Sequence, residues 1–498
     1  MKLWPFSRRD AAPETPTRRE PAAPARRSFA AARPDRLAGG FSIFQQSPRE
    51  VIRRDIRGLV GHTRHAARNM DVQRSYEMLA RRHVVGPAGI RLQMDVRDAP
   101  ARPGQPDRPD EAANRMIEAA WARWSRRGEA TLCGRLSWWD VENIAITALV
   151  REGGLFLRLR RGRGAFGLQV EPLQFDLLDL DLTGPVTGGG VVESGLEFND
   201  DGRLIAGHFW ARHPAEAHHG RAQRRLRIPA RELVQVMVHE EVGQSLGIPR
   251  SATALRLMNM AEKYQESAMA AAHYGAANMV FFEQEDQSGT ISGGGDAGEM
   301  PIDDMEAGTM AVLPPGVKAS NFTPAYPDAA IEPFMRHMSN TIASGLGVSS
   351  ETLTADLSQA NFSSLRAGKG EERDEWRMLQ RVLYEGLHQP VFDAWLPAAI
   401  SAGQLPFPMR RLDKFRAATW RPRGWASVNP KDDANARKTE VEMGLRSRTE
   451  IAAERGRDYA DIVAELAAEQ RLLDDQGVRM PAPPSVVMMS GQDGDSDE

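Results

Sequence analysis

Apolar positions recur every three to four residues along much of this chain, and the places where that rhythm stops divide it into elements. A helix is predicted over residues 51–85, closed by Gly86-Pro87. A second, over 111–127, carries Met116, Ile117, Ala120, Trp121 and Trp124 on one face, which reads as core. Ser137-Trp138-Trp139-Asp140 announces a third, because Ser137 can cap the amide of Asp140 while Asp140 reaches back, and Gly153-Gly154 ends it. β-forming residues then take over at 155–160, 169–176 and 233–238, and in a hairpin over 196–210 whose Asp200-Asp201-Gly202 supplies the positive φ of a tight turn. Helical spacing returns over 251–278 (Leu255, Met258, Tyr264, Met269) and 331–343 (Ile331, Phe334, Met335, Met338, Ile342). It returns once more over 365–395 (Trp376, Leu379, Val382, Leu383, Leu387, Trp395). The predicted class is α+β and mainly helical.

Between the last two helical patterns, residues 345–368 read GLGVSSETLTADLSQANFSSLRAG, a polar Gly- and Ser-rich loop without catalytic side-chain chemistry. A loop strung between helices is where a scaffold presents something to a partner. Residues 1–40 are rich in Pro, Ala and Arg and are predicted to be a disordered arm whose Arg pairs are solvated; residues 472–498, ending in GQDGDSDE, are its acidic counterpart. Residues 264–317 contain no Lys or Arg, yet carry Glu283, Glu285, Asp286, Asp303, Asp304 and Glu306 among their acids. That segregation reads equally as a solvated excursion or as a functional surface.

The 498 residues suffice for about three ordinary domains. A net charge of -3 argues against a protein that coats nucleic acid, so any contact with DNA is expected to be local or transient. A single cysteine, Cys133, excludes an intramolecular disulfide framework and a cysteine-cluster zinc site, and is expected to be a small core residue. There is no run of 18 apolar residues and no secretory h-region, which predicts a soluble protein retained in the cell that makes it.

Motifs with chemical meaning fail on context. Gly243-Gln244-Ser245-Leu246-Gly247 matches the nucleophile elbow of serine hydrolases and makes Ser245 the rival catalytic candidate. However, the preceding strand pattern ends early and Pro249 stands where the helix should run. Gly293, Gly295 and Gly298 fit G-x-G-x-x-G, but Pro301 follows instead of a helix, so no amide cradle for a pyrophosphate forms. Gly368-Lys369 lacks the first Gly and the Ser/Thr of a phosphate loop. His239-Glu240-Glu241 lacks a second His at Gly243, and Asp303, Asp304 and Glu306 read first as solvated acids.

Taken together, several ordered segments resemble the lambda family of phage portal proteins. The 345–368 stretch carries Leu346-Gly347-Val348, Asp356-Leu357-Ser358 and the run Asn361-Phe362-Ser363-Ser364-Leu365-Arg366-Ala367-Gly368. Trp121 with Trp124, the RLSWWD helix start, Glu171-Pro172, Gly195-Leu196-Glu197-Phe198, Pro314-Pro315-Gly316, Trp425 to Pro430 and Gly444 to Asp458 extend the likeness over about 40–470. Gln244-Ser245-Leu246-Gly247, where Gln-x-Arg-Gly is expected, and Lys369-Gly370, where an apolar pair is expected, depart from it.

The resemblance implies a ring, dodecameric in the family and set at one capsid vertex. Through it a terminase drives double-stranded DNA, and major capsid protein and head-completion or tail proteins attach to it. It implies no cofactor, no enzymatic activity, no membrane and assembly in the host cytoplasm. It assigns 41–250 to an N-terminal α+β wing, 251–278 and 328–346 to stem helices, and 279–327 to a clip. Residues 347–363 become a tunnel loop, 364–425 the long wing helix with its following segment, and 426–471 a helical crown. Ser358, Gln359, Asn361, Ser363 and Arg366 are then the candidate DNA-channel residues, and the six acids named above the candidate acidic clip.

Overall fold

The computed structural model describes residues 47–99, 107–186, 189–219, 224–276, 280–284, 317–321, 330–358, 361–425, 430–455 and 457–477. Helix α1 (Pro48–Asn69) opens with proline in its first turn and buries Ile52, Ile56, Val60, Thr63, Ala66 and Ala67 along one stripe. The helix predicted over 51–85 is in fact broken. Met70 is extended (φ -107, ψ 126), the Asn69 amide folds back on His65 O at 3.0 Å, and α2 (Asp71–Ala80) restarts and runs into a π turn, Arg81–Val85. Because the hydrophobic phase is kept across the break, the spacing pattern alone does not reveal it.

Strands β1 (Arg91–Met94), β2 (Arg97–Asp98) and β3 (Arg108–Pro109) lead to α3 (Glu111–Trp124), where the Asp110 side chain accepts from Ala113 N at 3.1 Å. Helix α4 (Trp138–Glu152) carries the predicted capping box: Asp140 N donates to Ser137 Oγ at 3.2 Å and Ser137 N to Asp140 Oδ2 at 2.8 Å. It ends in a left-handed Gly153 (φ 85).

Two sheets follow. Strands β4 (Gly154–Arg161) and β5 (Leu168–Leu173) combine with the later β11 (Leu233–Met237) in the order β11-β4-β5. Strands β6 (Gly184–Pro185), β7 (Val191–Glu193), β8 (Leu196–Phe198), β9 (Leu204–Trp210) and β10 (Arg225–Pro229) form an antiparallel meander in reverse order. The β8–β9 connection is the predicted hairpin, with Gly202 at φ 76.

Helix α5 (Leu255–Ala276) is followed by β12 (Val280–Gln284), which pairs with β13 (Val317–Asn321). Next come α6 (Ile331–Leu346), the short α7 (Ser350–Thr354) and α8 (Phe362–Leu383). A π turn, Tyr384–His388, joins α8 to α9 (Gln389–Ser401). The chain then forms β14 (Ala418–Arg421), which pairs with β1 across more than 300 residues, and ends in α10 (Pro430–Glu442), α11 (Arg448–Glu454) and α12 (Tyr459–Asp475).

The main core is aromatic. Trp121 lies 4.7 Å from Trp124 and 5.1 Å from Trp395, ring centre to ring centre, with Phe392 and Trp420 around it. The π turn brings His388 fully inside, where Nε2 is 2.6 Å from Glu142 Oε1. A second cluster, including Phe156, Phe175, Phe209 and Leu246, lies among the two sheets and α1.

Three expectations are corrected. Cys133 is exposed, in a turn beside Thr131, because the turn that leads into α4 points it away from the core; hydrogen bonding from the Arg135 amide holds its thiol below the usual range. The 345–368 stretch is not one loop, since α7 forms within it and α8 begins at Phe362. The acidic C-terminal segment begins later than residue 472, because α12 runs to Asp475. The arm over 1–40 lies outside the described residues.

Candidate functional site

The segment after α6 is a short exposed tip on a heavily anchored base. Gly347, left-handed at φ 70, closes α6; Val348 turns inward, and its N–H donates to Ala343 O at 3.1 Å. Ser349 caps α7, since its Oγ accepts from Thr352 N at 3.4 Å. Leu353 is buried, and Ser75 Oγ from α2 donates to its carbonyl at 2.8 Å. Ala355 then adopts a left-handed φ of 59, a conformation costing a non-glycine residue about 1 kcal/mol or more, and ends the helix.

From Ala355 to Ser358 every residue is exposed. Ser358 N donates to Asp356 Oδ1 at 3.0 Å, and this bond holds the Asp356 carboxyl below the ordinary carboxylate range. Leu357 stands beside it, 59% exposed.

Beneath the tip, Glu372 of α8 is buried and receives two donors: Ser349 Oγ at 2.9 Å and Trp376 Nε1 at 3.0 Å. Three residues on, Glu375 takes Arg250 Nη2 at 2.5 Å, while Arg250 Nη1 reaches Glu240 at 3.1 Å. Tyr76 packs on Trp376, and burial pushes its hydroxyl up to about 12, tempered by Arg250. Replacing Glu372 by alanine leaves the buried Trp376 indole N–H without an acceptor and Ser349 Oγ with Thr352 Oγ1 at 2.7 Å, so a loss of about 1–3 kcal/mol is expected, read as a shift of the urea midpoint with unchanged slope.

Behind this base His83 is stacked between Trp376 (5.6 Å, 11°) and Trp425 (6.4 Å, 23°), and its Nδ1 accepts from Trp425 Nε1 at 2.8 Å. Burial, helped by Arg423, Arg82 and Arg373, lowers its pKa to about 4, against the pull of Glu372. The unfolded chain therefore binds this proton more readily, and stability falls as the pH drops from about 6.5 to about 4 and then levels. In H83Q the thermal midpoint should lose less over that window than in the parent protein.

The structure places the candidate residues as follows. Ser358 and Asn361 are exposed on either side of the tip, Asn361 directly before α8. Gln359 lies outside the described residues. Ser363 and Arg366 belong to the first two turns of α8 and not to a loop. Among the acids, Glu283 sits in β12 with its Cα opposite Lys318 of β13; Glu285, Asp286, Asp303, Asp304 and Glu306 lie outside the described residues. Sequence reasoning missed the supporting residues Ser349, Glu372, Arg250 and Glu375. Only Ser349 carried a local signal, as a capping residue three before Thr352.

Ser245 does not sit on a nucleophile elbow. Residues 243–247 form a turn in which Gln244 Oε1 accepts from Glu240 N at 2.8 Å and Nε2 donates to Leu246 O at 2.9 Å. Ser245 is itself buried, with its carbonyl bonded by Gln235, and no helix starts after it. The final glycine is there for packing: a Cβ on Gly247 would overlap Gly153 O and lie 2.7 Å from Gly153 C. His239, Glu240 and Glu241 are exposed, and among the described residues no three His, Cys, Asp or Glu are grouped to hold a metal ion.

The profile of phage portal proteins of the lambda family matches residues 35–380. A probable portal protein of Halomonas phage phiHAP-1 is 29% identical over 484 residues, covering 95% of this chain and 91% of that one. Portal protein B of Escherichia phage lambda is 25% identical over 186 residues, covering 36% and 35%. Among solved structures, a chain of the virion of a native gene transfer agent particle aligns over 81% of this chain and 93% of its own, at 13% identity and a TM-score of 0.43.

Proposed function

This chain belongs to the lambda family of phage portal proteins, and from that premise we propose that it forms the channel through which double-stranded DNA enters and leaves the capsid. A portal protein is a structural part of the virion and not an enzyme, and it works as a homo-oligomeric ring at a capsid vertex. The observation that carries the reading is the family match over residues 35–380, joined to a portal relative that covers 95% of the chain. The finer assignments are twelve subunits and assembly in the host cytoplasm. The ring docks the terminase large subunit, the major capsid protein and head-completion or tail proteins.

A closed ring needs heterologous interfaces whose rotation closes. DNA presents one charge per about 1.7 Å, and each phosphate neutralised by Lys or Arg adds salt-dependent affinity, so a cation-lined passage would hold the polymer. The tip between α7 and α8 suits passage instead. Ser358, Gln359, Asn361 and Ser363 offer neutral hydrogen-bonding groups, and Asp356, held in its ionised form, repels phosphate. Arg366, one turn into α8, adds a guanidinium, a group whose chemistry suits phosphate or a carboxylate. The basic-free stretch 264–317, with Glu283, Glu285, Asp286, Asp303, Asp304 and Glu306, extends the same logic to the clip. The buried Val348 and Leu353, with the Ser349 bond to Glu372, keep the tip from folding into the passage.

Negative-stain imaging of the purified protein tests the reading. Closed rings with a central hole are expected; monomers or open filaments under every assembly condition would overturn it.

A further inference from the structure

Strand β1 lies against β14 so that Arg91 is directly opposite Arg421. Like charges facing each other across a two-stranded ladder are destabilising, so the pairing asks for a counter-charge. The surrounding hollow, about 390 Å³, is lined by Pro87, Gly89 and their neighbours and by five arginines, Arg91, Arg421, Arg423, Arg455 and Arg457, with no acid among the described residues of its wall.

Two of the five are engaged: Arg421 by the Gln93 side chain and Arg457 by Glu465. Among the described residues the Arg423 side chain donates to carbonyls alone, those of Arg82 at 2.7 Å and Gly424 at 3.1 Å. Arg91 and Arg455 are exposed and make no ion pair among the described residues. Burial and the neighbouring Arg373 and Arg82 lower the Arg423 pKa, the response of a cation left among cations.

The shape of the site narrows the counter-charge. A DNA duplex, whose major groove alone is about 12 Å wide, cannot enter such a hollow, and among the described residues no aromatic ring lines it to stack an exposed base. In the adjoining cleft, Trp425 is already covered by His83, Arg377 and Arg423. What fits is a narrow chain of carboxylates, which guanidinium forks grip in pairs.

Such a segment occurs in this protein. Residues 491–498, GQDGDSDE, place Asp493, Asp495 and Asp497 at alternate positions beside Glu498, with no basic residue among them. The described chain reaches Gly477, two residues beyond α12, whose 17 residues span about 25 Å from Tyr459, next to the hollow's Arg457. The 13 residues 478–490 can extend about 43 Å, enough to return along the length of α12. We propose that the arginine hollow between β1, β14 and the α11–α12 turn is a docking site for the acidic segment 491–498 of the same chain. The proposal does not depend on how DNA meets the ring.

The test uses the full-length protein and a fluorescein-labelled GQDGDSDE peptide at low ionic strength. A variant with D493N, D495N, D497N and E498Q no longer occupies its own site, so it should bind the added peptide at least about tenfold more tightly than the parent protein does. Adding R91Q and R455Q, both at exposed positions, should abolish that gain while the thermal midpoint stays within a few degrees of the parent's. Equal peptide binding by parent and neutralised protein, or binding that survives R91Q/R455Q, would overturn the proposal. So would a short DNA duplex that binds the parent protein through Arg91 and Arg455 undiminished by its acidic segment.

Discussion

G247A is expected to leave little folded protein. An alanine Cβ at Gly247 meets Gly153 O and C and lies 3.1 Å from the Met237 Cβ, all of it backbone or the root of a side chain. Nothing flexible can yield there. Gly153 is also the left-handed end of α4, and its own missing Cβ would lie 2.6 Å from Ile248 N, so the two glycines make one close crossing between α4 and the turn after β11. Separating them would pull Leu246 and Met237 out of their buried seats. A cost of about 4 kcal/mol or more is expected, enough to drop the thermal midpoint by roughly 10 °C or to send the protein into inclusion bodies. G58A is the control: nothing stands within 4 Å of a Cβ there, in the middle of α1, and a gain of about 0.5–1 kcal/mol is expected. If thermal melts of the two variants were alike, the crossing would not have the importance given to it here.

Deleting residues 355–360 and bridging the gap with two glycines should spare ring assembly and abolish DNA-filled heads. The cut begins after Leu353, the last buried residue of the anchored base, so the bonds among Ser349, Glu372, Trp376 and Ser75 are untouched. What is lost is the exposed tip with Asp356, Leu357 and Ser358. Ring yield by electron microscopy and nuclease-protected DNA in assembled particles separate the two effects. Should rings fail to form, the tip is an assembly element and its placement beside DNA is wrong. The E372A variant acts on the same tip from below. It lowers stability without shortening the tip, so a packaging defect in E372A at a temperature where it remains folded would reveal a need for the tip's position as well as its presence.

Local patterning explains why so much of this fold can be read in advance. The capping box at Ser137 and Asp140, the left-handed end at Gly153, and the tight turn at Gly202 each depend on residues within four positions of one another. The same holds for the amphipathic faces of α3, α6 and α8. Where the controlling partner is distant, the pattern was silent or misleading. The predicted first helix breaks at Met70 although its apolar phase continues unbroken. Cys133, expected in the core by residue type, is turned outward by the loop that feeds α4. Residues 362 and 363 read as loop because the Ser and Gly around them are poor helix formers, yet they begin a 22-residue helix whose downstream half is packed into the aromatic core.

The sequence by itself determined the class of the fold, the absence of a workable catalytic motif around Ser245, and the family, whose ordered segments run through most of the chain. Those are properties of period, spacing and neighbouring residue types, which need no partner elsewhere. Only the tertiary structure decided why Gly247 must be glycine, what holds the tip after α7, and that Arg91 faces Arg421. Each of these joins residues roughly 20 to 330 positions apart through close packing or buried hydrogen bonds. Such contacts are chosen by the shape and polarity of the assembled core, which no short stretch of the chain encodes.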